Sequence, residues 1–214
     1  MRVGILGGTF DPPHVGHLIA AADTIDALGL DRVVLVPAST QPLKRHGTGA
    51  SPAQRLAMVR LAAADDSRLA VDSIEIDRAG LSFTVDTLTE WARRAPGDER
   101  FLLMGADVVR SFARWRDPLT IMRLAELVIW RRGDIGASQI AGWLPGGAGT
   151  SRPGYRVLDT RRVDVSSTEV RARVRAGRSI HGFVPDAVRA YIAEATLYRA
   201  PDDRGEGNDQ RADQ

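Results

Sequence analysis

The 214-residue chain has no cysteine and only one lysine, Lys44. Without cysteine there are no disulfides, no thiolate metal sites and no cysteine nucleophile, a composition that fits the cytoplasm. No apolar run approaches the roughly 18 residues that span a bilayer, so no membrane partner is expected. Met1-Arg2-Val3-Gly4-Ile5-Leu6 meets Gly7-Gly8 too soon to be a signal peptide. Aromatic residues make up 6%, and they form no stripe alternating with basic residues, which argues against a nucleic-acid partner. Neither Gly-x-Gly-x-x-Gly nor Gly-x-x-x-x-Gly-Lys occurs, which argues against a conventional dehydrogenase and a P-loop NTPase.

What remains is 43% apolar and 26% charged, the balance of a soluble globular protein with one core. The net charge is +2, but it is unevenly spread. Residues 201–214 hold five acids and two arginines, leaving 27 basic and 22 acidic residues in 1–200. That mildly basic body suits a small phosphorylated ligand as well as it suits RNA.

Strand and helix signals alternate. Arg2–Leu6 and the β-branched run Val33–Val36 read as strands, and Leu69–Ile76 alternates like a strand with one wet face. Phe101–Met104, Leu127–Trp130 and Tyr155–Leu158 complete the strand set. Leu18, Ile19, Ala22, Ile25 and Leu28 recur at helical spacing before Gly29. Ser51-Pro52, Thr84 and Asp117-Pro118 open further helices, and 137–144 is a short helix within a glycine-rich segment, 133–154. Ser166/Ser167 and Pro185 open the last two, and from Ala200 the chain reads as a disordered acidic tail. Trp91, Trp130 and Trp143 read as packing. The expected fold is α/β: a Rossmann-like, doubly wound parallel sheet with a small C-terminal helical portion. Chemistry is then to be sought just beyond the carboxyl ends of the strands.

The segment after the first strand is Gly7-Gly8-Thr9-Phe10-Asp11-Pro12-Pro13-His14-Val15-Gly16-His17. Its glycines permit close backbone approach, and the following helix start offers free N–H groups and partial positive charge. Histidines three apart could ligate zinc, but no third ligand lies near; as phosphate donors they need none. Taken as glycines and histidines alone, the stretch also fits a structural turn. Ser166-Ser167-Thr168 offers a second helix start of the same kind, with Arg171 one turn on from Ser167. Arg173 and Arg175 fall on other faces.

Gly-Gly-x-Phe-Asp-Pro-x-His-x-Gly-His resembles the signature of the nucleotidyltransferase superfamily, and more closely that of bacterial nicotinate-nucleotide adenylyltransferases. Ser82-Phe83-Thr84-Val85-Asp86-Thr87-Leu88, Gly105-Ala106-Asp107 with Trp115 beyond it, and Val165-Ser166-Ser167-Thr168-Glu169-Val170-Arg171 resemble later motifs in order and spacing. The likeness spans about residues 1–198. It implies one nucleotidyltransferase domain over 1–199 that moves the AMP group of ATP onto nicotinate mononucleotide. It also implies roles for individual residues. His14, His17, Lys44 and Arg171 would neutralise phosphate charge. Gly7, Gly8, Thr9, Phe10, Gly105, Asp107, Ser166, Ser167 and Thr168 would bind ATP, Asp107 at the ribose. Thr84, Phe83, Lys44, Trp115 and Arg132 would bind the nicotinate nucleotide, with Trp115 stacked on the pyridine ring. Arg45 and His46 are weaker candidates, and either Arg131 or Arg132 would meet substrate phosphate.

Several positions depart from the pattern: Gln41 and Leu43 beside Lys44, Leu81 and Phe83 before Thr84, and Arg132-Gly133 in place of Arg-Pro-Gly. Mg²⁺ would ride mainly on the triphosphate, since the sequence shows no carboxylate cluster to hold it and no protein metal ligand is assigned. Alternatives are another acceptor (nicotinamide mononucleotide, phosphopantetheine or glycerol phosphate) or a catalytically silent nucleotide-binding module. Trp115 and Ser82–Leu88 argue against the last two acceptors, and intact His14, His17 and Arg171 against silence. The sequence is compatible with a homo-oligomer. Deleting residues 201–214 is expected to leave activity intact, which a comparison of kcat with the full chain checks.

Overall fold

The computed structural model describes residues 1–41, 49–131, 135–145 and 154–199. Six strands form one all-parallel sheet: β1 (Arg2–Gly8), β2 (Arg32–Pro37), β3 (Leu69–Val71), β4 (Glu99–Gly105), β5 (Glu126–Arg131) and β6 (Tyr155–Asp159). Their spatial order is β3-β2-β1-β4-β5-β6. The order follows from β1, which pairs with β2 on one side (Gly4 opposite Val33) and with β4 on the other (Gly4 opposite Phe101). Nine α-helices are described: α1 (Val15–Leu28), α2 (Pro52–Ala63), α3 (Ile74–Arg78), α4 (Thr84–Arg94), α5 (Ala106–Val109), α6 (Pro118–Leu124), α7 (Ala137–Trp143), α8 (Ser167–Arg175) and α9 (Asp186–Glu194). A 3₁₀ turn spans Phe112–Arg114.

The strands are apolar on both faces because helices cover both. On one face Val3, Ile5, Leu102, Met104, Leu127 and Ile129 meet Val85, Leu88 and Trp91 of α4. On the other, Leu6, Leu35, Leu103 and Val128 meet Ala20, Ala21 and Ile25 of α1 and Val59 of α2. A third cluster joins Met58 and Ala62 of α2 to Val170 of α8, Val188 and Ile192 of α9, and Tyr198. It fixes the C-terminal helical portion to the outer side of α2.

Local chemistry sets the helix ends. Ser51 Oγ accepts from Gln54 N while Gln54 Oε1 accepts from Ser51 N, a reciprocal cap on α2. Gly29, at φ 58°, turns the chain out of α1. The helix expected over 137–144 is α7, and Trp91 and Trp130 are buried as packing residues. Trp143 packs against the first cluster, and Arg110 lies over its ring. The glycine-rich stretch is described only at 135–145 and 154, and residues 200–214 lie outside the described residues. Among the described residues no helix is long and apolar enough to cross a membrane.

Two expectations need correction. Only Leu69–Val71 of the anticipated 69–76 strand is a strand. Asp72 accepts the Ile74 N–H and Ser73 Oγ donates to Asp77, so short polar side chains turn the chain into α3 despite the alternating pattern. β1 runs two residues past the expected Arg2–Leu6, with Gly7 and Gly8 in register with Val36 and Pro37.

Gly4 marks where the sheet is tightest. An added Cβ would lie 2.8 Å from Val33 Cγ2, 3.0 Å from Leu30 Cδ1 and 3.1 Å from Leu103 Cδ1. Gly4→Ala is expected to destabilise the fold by about 1–3 kcal/mol through overpacking, measured by urea unfolding with an unchanged m-value.

Candidate active site

Chain connections leave β1 and β4 in opposite directions, so a crevice opens above their carboxyl ends. A cavity of about 420 Å³ lies there. Gly7, Gly8 and Thr9 come from the end of β1, His14 and His17 from the start of α1, and Gly105 and Asp107 from the end of β4. Ser166, which caps α8 by accepting from Glu169 N, closes one side. A second cavity of about 520 Å³ is lined by Phe83, Thr84, Ser111, Arg114, Trp115 and Arg116, among others. The two share Gln41, Ser82, Thr84, Asp107, Val108 and Trp115, so they form one continuous cleft.

The signature residues fit one another sterically. Phe10 has φ 51°, and its ring packs where a Gly8 Cβ would stand, 3.1 Å away. That ring meets His17 edge-on at 5.0 Å between centroids. The His14 ring lies over Gly16, whose Cβ would approach His14 Nδ1 to 3.0 Å. The two imidazoles are 3.7 Å apart, tilted by 31°. His17 Nδ1 accepts from His14 N at 3.2 Å. The proton of the neutral His17 ring therefore sits on Nε2, the nitrogen suited to donate to an anion. Phe10 itself is buried and supports His17 from behind; it is not part of the cavity wall.

Asp107 lies in the first turn of α5, and Gly105 takes the cap position. A Cβ on Gly105 would come within 2.4 Å of Asp107 Oδ1, so glycine there lets the carboxylate fold back at the cleft mouth. Half-buried Trp115 donates from Nε1 to Ser111 Oγ at 3.2 Å, which sets its ring plane in the second cavity. Phe83 lies under the Arg116 guanidinium, 4.9 Å from the ring centroid. Thr84 opens α4, and the preceding Ser82 is tied to the end of β2 through Ser39 N and Thr40 O.

Other sequence candidates stand elsewhere. Ser167 and Arg171 do share a face, but they turn to the signature loop: Ser167 Oγ donates to Pro12 O at 2.8 Å and Arg171 Nη1 to Asp11 O at 2.7 Å. Thr168 is exposed and accepts from Arg171 Nη2. None of these three lines either cavity. Arg131 is committed to Asp159 through two hydrogen bonds, at 2.6 and 2.8 Å. Arg173 donates to Ser179 O and stacks on Phe183, so it is half-buried, not solvated. Lys44, Arg45, His46 and Arg132 lie outside the described residues. Among the described residues no group of three or more His, Cys, Asp or Glu could hold a metal ion.

Sequence reasoning missed four residues. Arg55 is fully buried in α2 and donates to three carbonyls: Thr9 O at 2.8 Å, Ala38 O at 2.5 Å and Ser39 O at 2.8 Å. Burial lowers its pKa, and Asp11 and Tyr198 oppose that shift. Its signal was its place on the buried stripe with Met58, Val59 and Ala62, at i+3, i+4 and i+7. Asp11 stands in the motif but had been given no role. Its carboxylate accepts from Gly49 N, Ala50 N and Tyr198 Oη. Tyr198 is buried, and desolvation followed by the Asp11 contact pushes its phenol pKa far above the usual value. Glu75 is buried at the cavity wall and accepts from Thr87 Oγ1 at 2.7 Å.

Comparison with known proteins agrees with this geometry. Residues 5–173 match the family model described as cytidylyltransferase-like. A Gemmatimonas aurantiaca protein named "Probable nicotinate-nucleotide adenylyltransferase" is 48% identical over 200 residues, covering 93% of each chain. A Thermus thermophilus protein of the same name is 39% identical, covering 93% of this chain and all of its own. Among solved structures, Plasmodium falciparum nicotinic acid mononucleotide adenylyltransferase complexed with NaAD superposes with a TM-score of 0.74 at 18% identity. It covers 92% of this chain and 97% of its own, a likeness of fold. The chain belongs to the cytidylyltransferase-like family and, within it, to the nicotinate-nucleotide adenylyltransferases.

Proposed function

We propose that the chain transfers the AMP group of ATP to nicotinate mononucleotide, giving nicotinate adenine dinucleotide and pyrophosphate in NAD biosynthesis. The observation that carries this reading is the continuous cleft. One cavity has the histidine pair and the Asp107 carboxylate; the adjoining one has an indole and a helix start. The Plasmodium enzyme has been solved in complex with NaAD and, separately, with APC. A cytoplasmic site of action follows from the pathway.

ATP occupies the first cavity, its ribose hydroxyls donating to Asp107 and its phosphates lying along Gly7, Gly8 and Thr9 toward His14 and His17. The acceptor occupies the second, its pyridine ring stacked on Trp115 and its carboxylate near the N–H groups that open α4 at Thr84. Lys44 and Arg132 supply further positive charge, and Arg171 acts from behind the site by holding the signature loop at Asp11 O. A phosphate oxygen of the acceptor attacks the α-phosphorus in line. The bond from that phosphorus to the β-phosphate bridging oxygen breaks, and pyrophosphate leaves. The nucleophile is already an anion, so no general base is needed. His14 and His17 instead donate to oxygens whose charge rises in the transition state. The substrate is the Mg²⁺ complex of ATP, the triphosphate being the main ligand. The ion neutralises charge on the departing pyrophosphate.

The test is pyrophosphate release from ATP and Mg²⁺ with nicotinate mononucleotide and, separately, nicotinamide mononucleotide. Preference for the nicotinate form supports the reading, and release with neither overturns it. His17→Ala is expected to lower kcat by about 10²–10³, the typical cost of losing one transition-state donor, with little loss of folding. Undiminished turnover in that variant would remove the histidine mechanism.

A further inference from the structure

Three buried polar groups beside the cleft are ones the reaction does not touch. Arg55, Asp11 and Tyr198 come from α2, the signature loop and the turn after α9, and all are buried. Taking a carboxylate, a guanidinium and a phenol out of water is costly, and an apolar filling of the same volume is often as stable. Hydrogen bonds from Arg55 and from two residues of α8 converge on one stretch of backbone beside them. Arg55 holds Thr9 O, Arg171 holds Asp11 O and Ser167 holds Pro12 O. The Thr9–Phe10 peptide is trans, so drawing the Thr9 carbonyl toward Arg55 aims the Phe10 N–H the opposite way.

Asp11 is where these restraints meet. Its two carboxylate oxygens take Gly49 N at 2.8 Å, Ala50 N at 3.1 Å and Tyr198 Oη at 2.7 Å, and Arg171 Nη1 stands 3.8 Å from Oδ2. Gly49 and Ala50 follow five residues after Lys44 in the chain. One carboxylate thus links the loop that leads to His14 and His17, the helix bearing Arg171, and the return from the Lys44 segment. Tyr198 reaches it at a price in backbone conformation, with φ 63° in a non-glycine residue. Its ring fills the space where a Gly49 Cβ would lie 2.9 Å from Cδ1.

We propose that Tyr198 is a positioning residue for the ATP-phosphate half of the site: its hydroxyl holds Asp11, and Asp11 holds the phosphate-facing segments in one arrangement. The acceptor half is tied through Ser82 to Ser39 and Thr40 at the end of β2; Arg55 also holds Ser39 O, but the hydrogen bonds of Asp11 and Tyr198 go elsewhere. Loss of the Tyr198 hydroxyl therefore weakens ATP handling and leaves the acceptor side alone. The inference rests on the proposed reaction, but it is read from binding as well as turnover.

The experiment compares the full chain with Tyr198→Phe, which keeps the ring and removes only the hydroxyl. Calorimetric titration with Mg²⁺-ATP and, separately, with nicotinate mononucleotide gives each Kd, and steady-state assays give each KM. The expected result is an ATP Kd and KM raised about tenfold, the scale of one hydrogen bond to a charged group, with acceptor values unchanged. Asp11→Asn keeps an acceptor for Tyr198 but loses the charge, and it is expected to weaken ATP in the same selective way. A uniform loss for both substrates, tracking a lower unfolding midpoint, would mean a merely structural role and overturn the proposal. So would an unchanged ATP Kd in both variants. Failure of the wild-type chain to turn over nicotinate mononucleotide would strike the proposed reaction instead, and the ATP titrations would still decide this inference.

Discussion

The position of β1 between β2 and β4 governs the rest of the molecule. A parallel sheet needs a crossover after every strand, and right-handed crossovers put successive strands on one side until the order reverses. In this chain it reverses at β1, with β2 and β3 to one side and β4, β5 and β6 to the other. The connections from β1 and β4 run in opposite directions, so the cleft at their carboxyl ends forms by topology before any side chain is specified. The core then makes that opening rigid. Apolar residues on alternate positions of β1 point to opposite helical layers, Val3 and Ile5 to one and Leu6 to the other.

Within that opening, several signature residues act on each other as much as on a ligand. Phe10 adopts a left-handed backbone, its ring occupies the space left by Gly8, and His17 packs edge-on against it. Gly16 makes the corresponding room for His14. The glycines are thus spaces for particular rings, and this explains why their spacing from Phe10 and the histidines carries so much information. Gly105 does the same for Asp107 on the neighbouring strand. Close backbone approach by a ligand is a second use of the same missing Cβ atoms.

The sheet and most helices were legible because their signals are local. Ser51-Pro52, Gly29 and the run Val33–Val36 each name their own structure through capping, left-handed φ or burial on both faces. The α3 segment was not legible as a helix: its apolar alternation suggested a strand, and the side-chain turn at Asp72–Asp77 that redirects it depends on geometry as well as composition. A motif marks His14, His17, Asp107, Thr84 and Trp115 in the sequence, and the structure brings them to one cleft. Asp11, Arg55 and Tyr198 were passed over because their partners lie up to 187 residues away in sequence. Long-range polar pairing leaves only indirect traces, such as an arginine on the buried stripe of a helix.

The distribution of charge explains why this site works with so few ionised side chains. Joining two phosphorylated nucleotides brings anion to anion, and a fixed carboxylate facing the phosphates would add to the repulsion. Among the described residues, two carboxylates line the first cavity. Glu75 is engaged by Thr87, and Asp107 stands in the first turn of α5, just past the end of β4. The third nearby carboxylate, Asp11, is turned inward, where backbone N–H groups and Tyr198 satisfy it and Arg55 and Arg171 offset its charge. On the phosphate side the described groups are imidazoles and helix-start N–H groups, which donate without the strong hydration of an ammonium. Turning the Asp11 carboxylate inward keeps a third negative charge from facing the cavity, while the imidazoles and helix-start N–H groups stay presented to it. The same hydrogen bonds that neutralise Asp11 also fix the loop, so electrostatics and geometry have a common origin in one buried carboxylate.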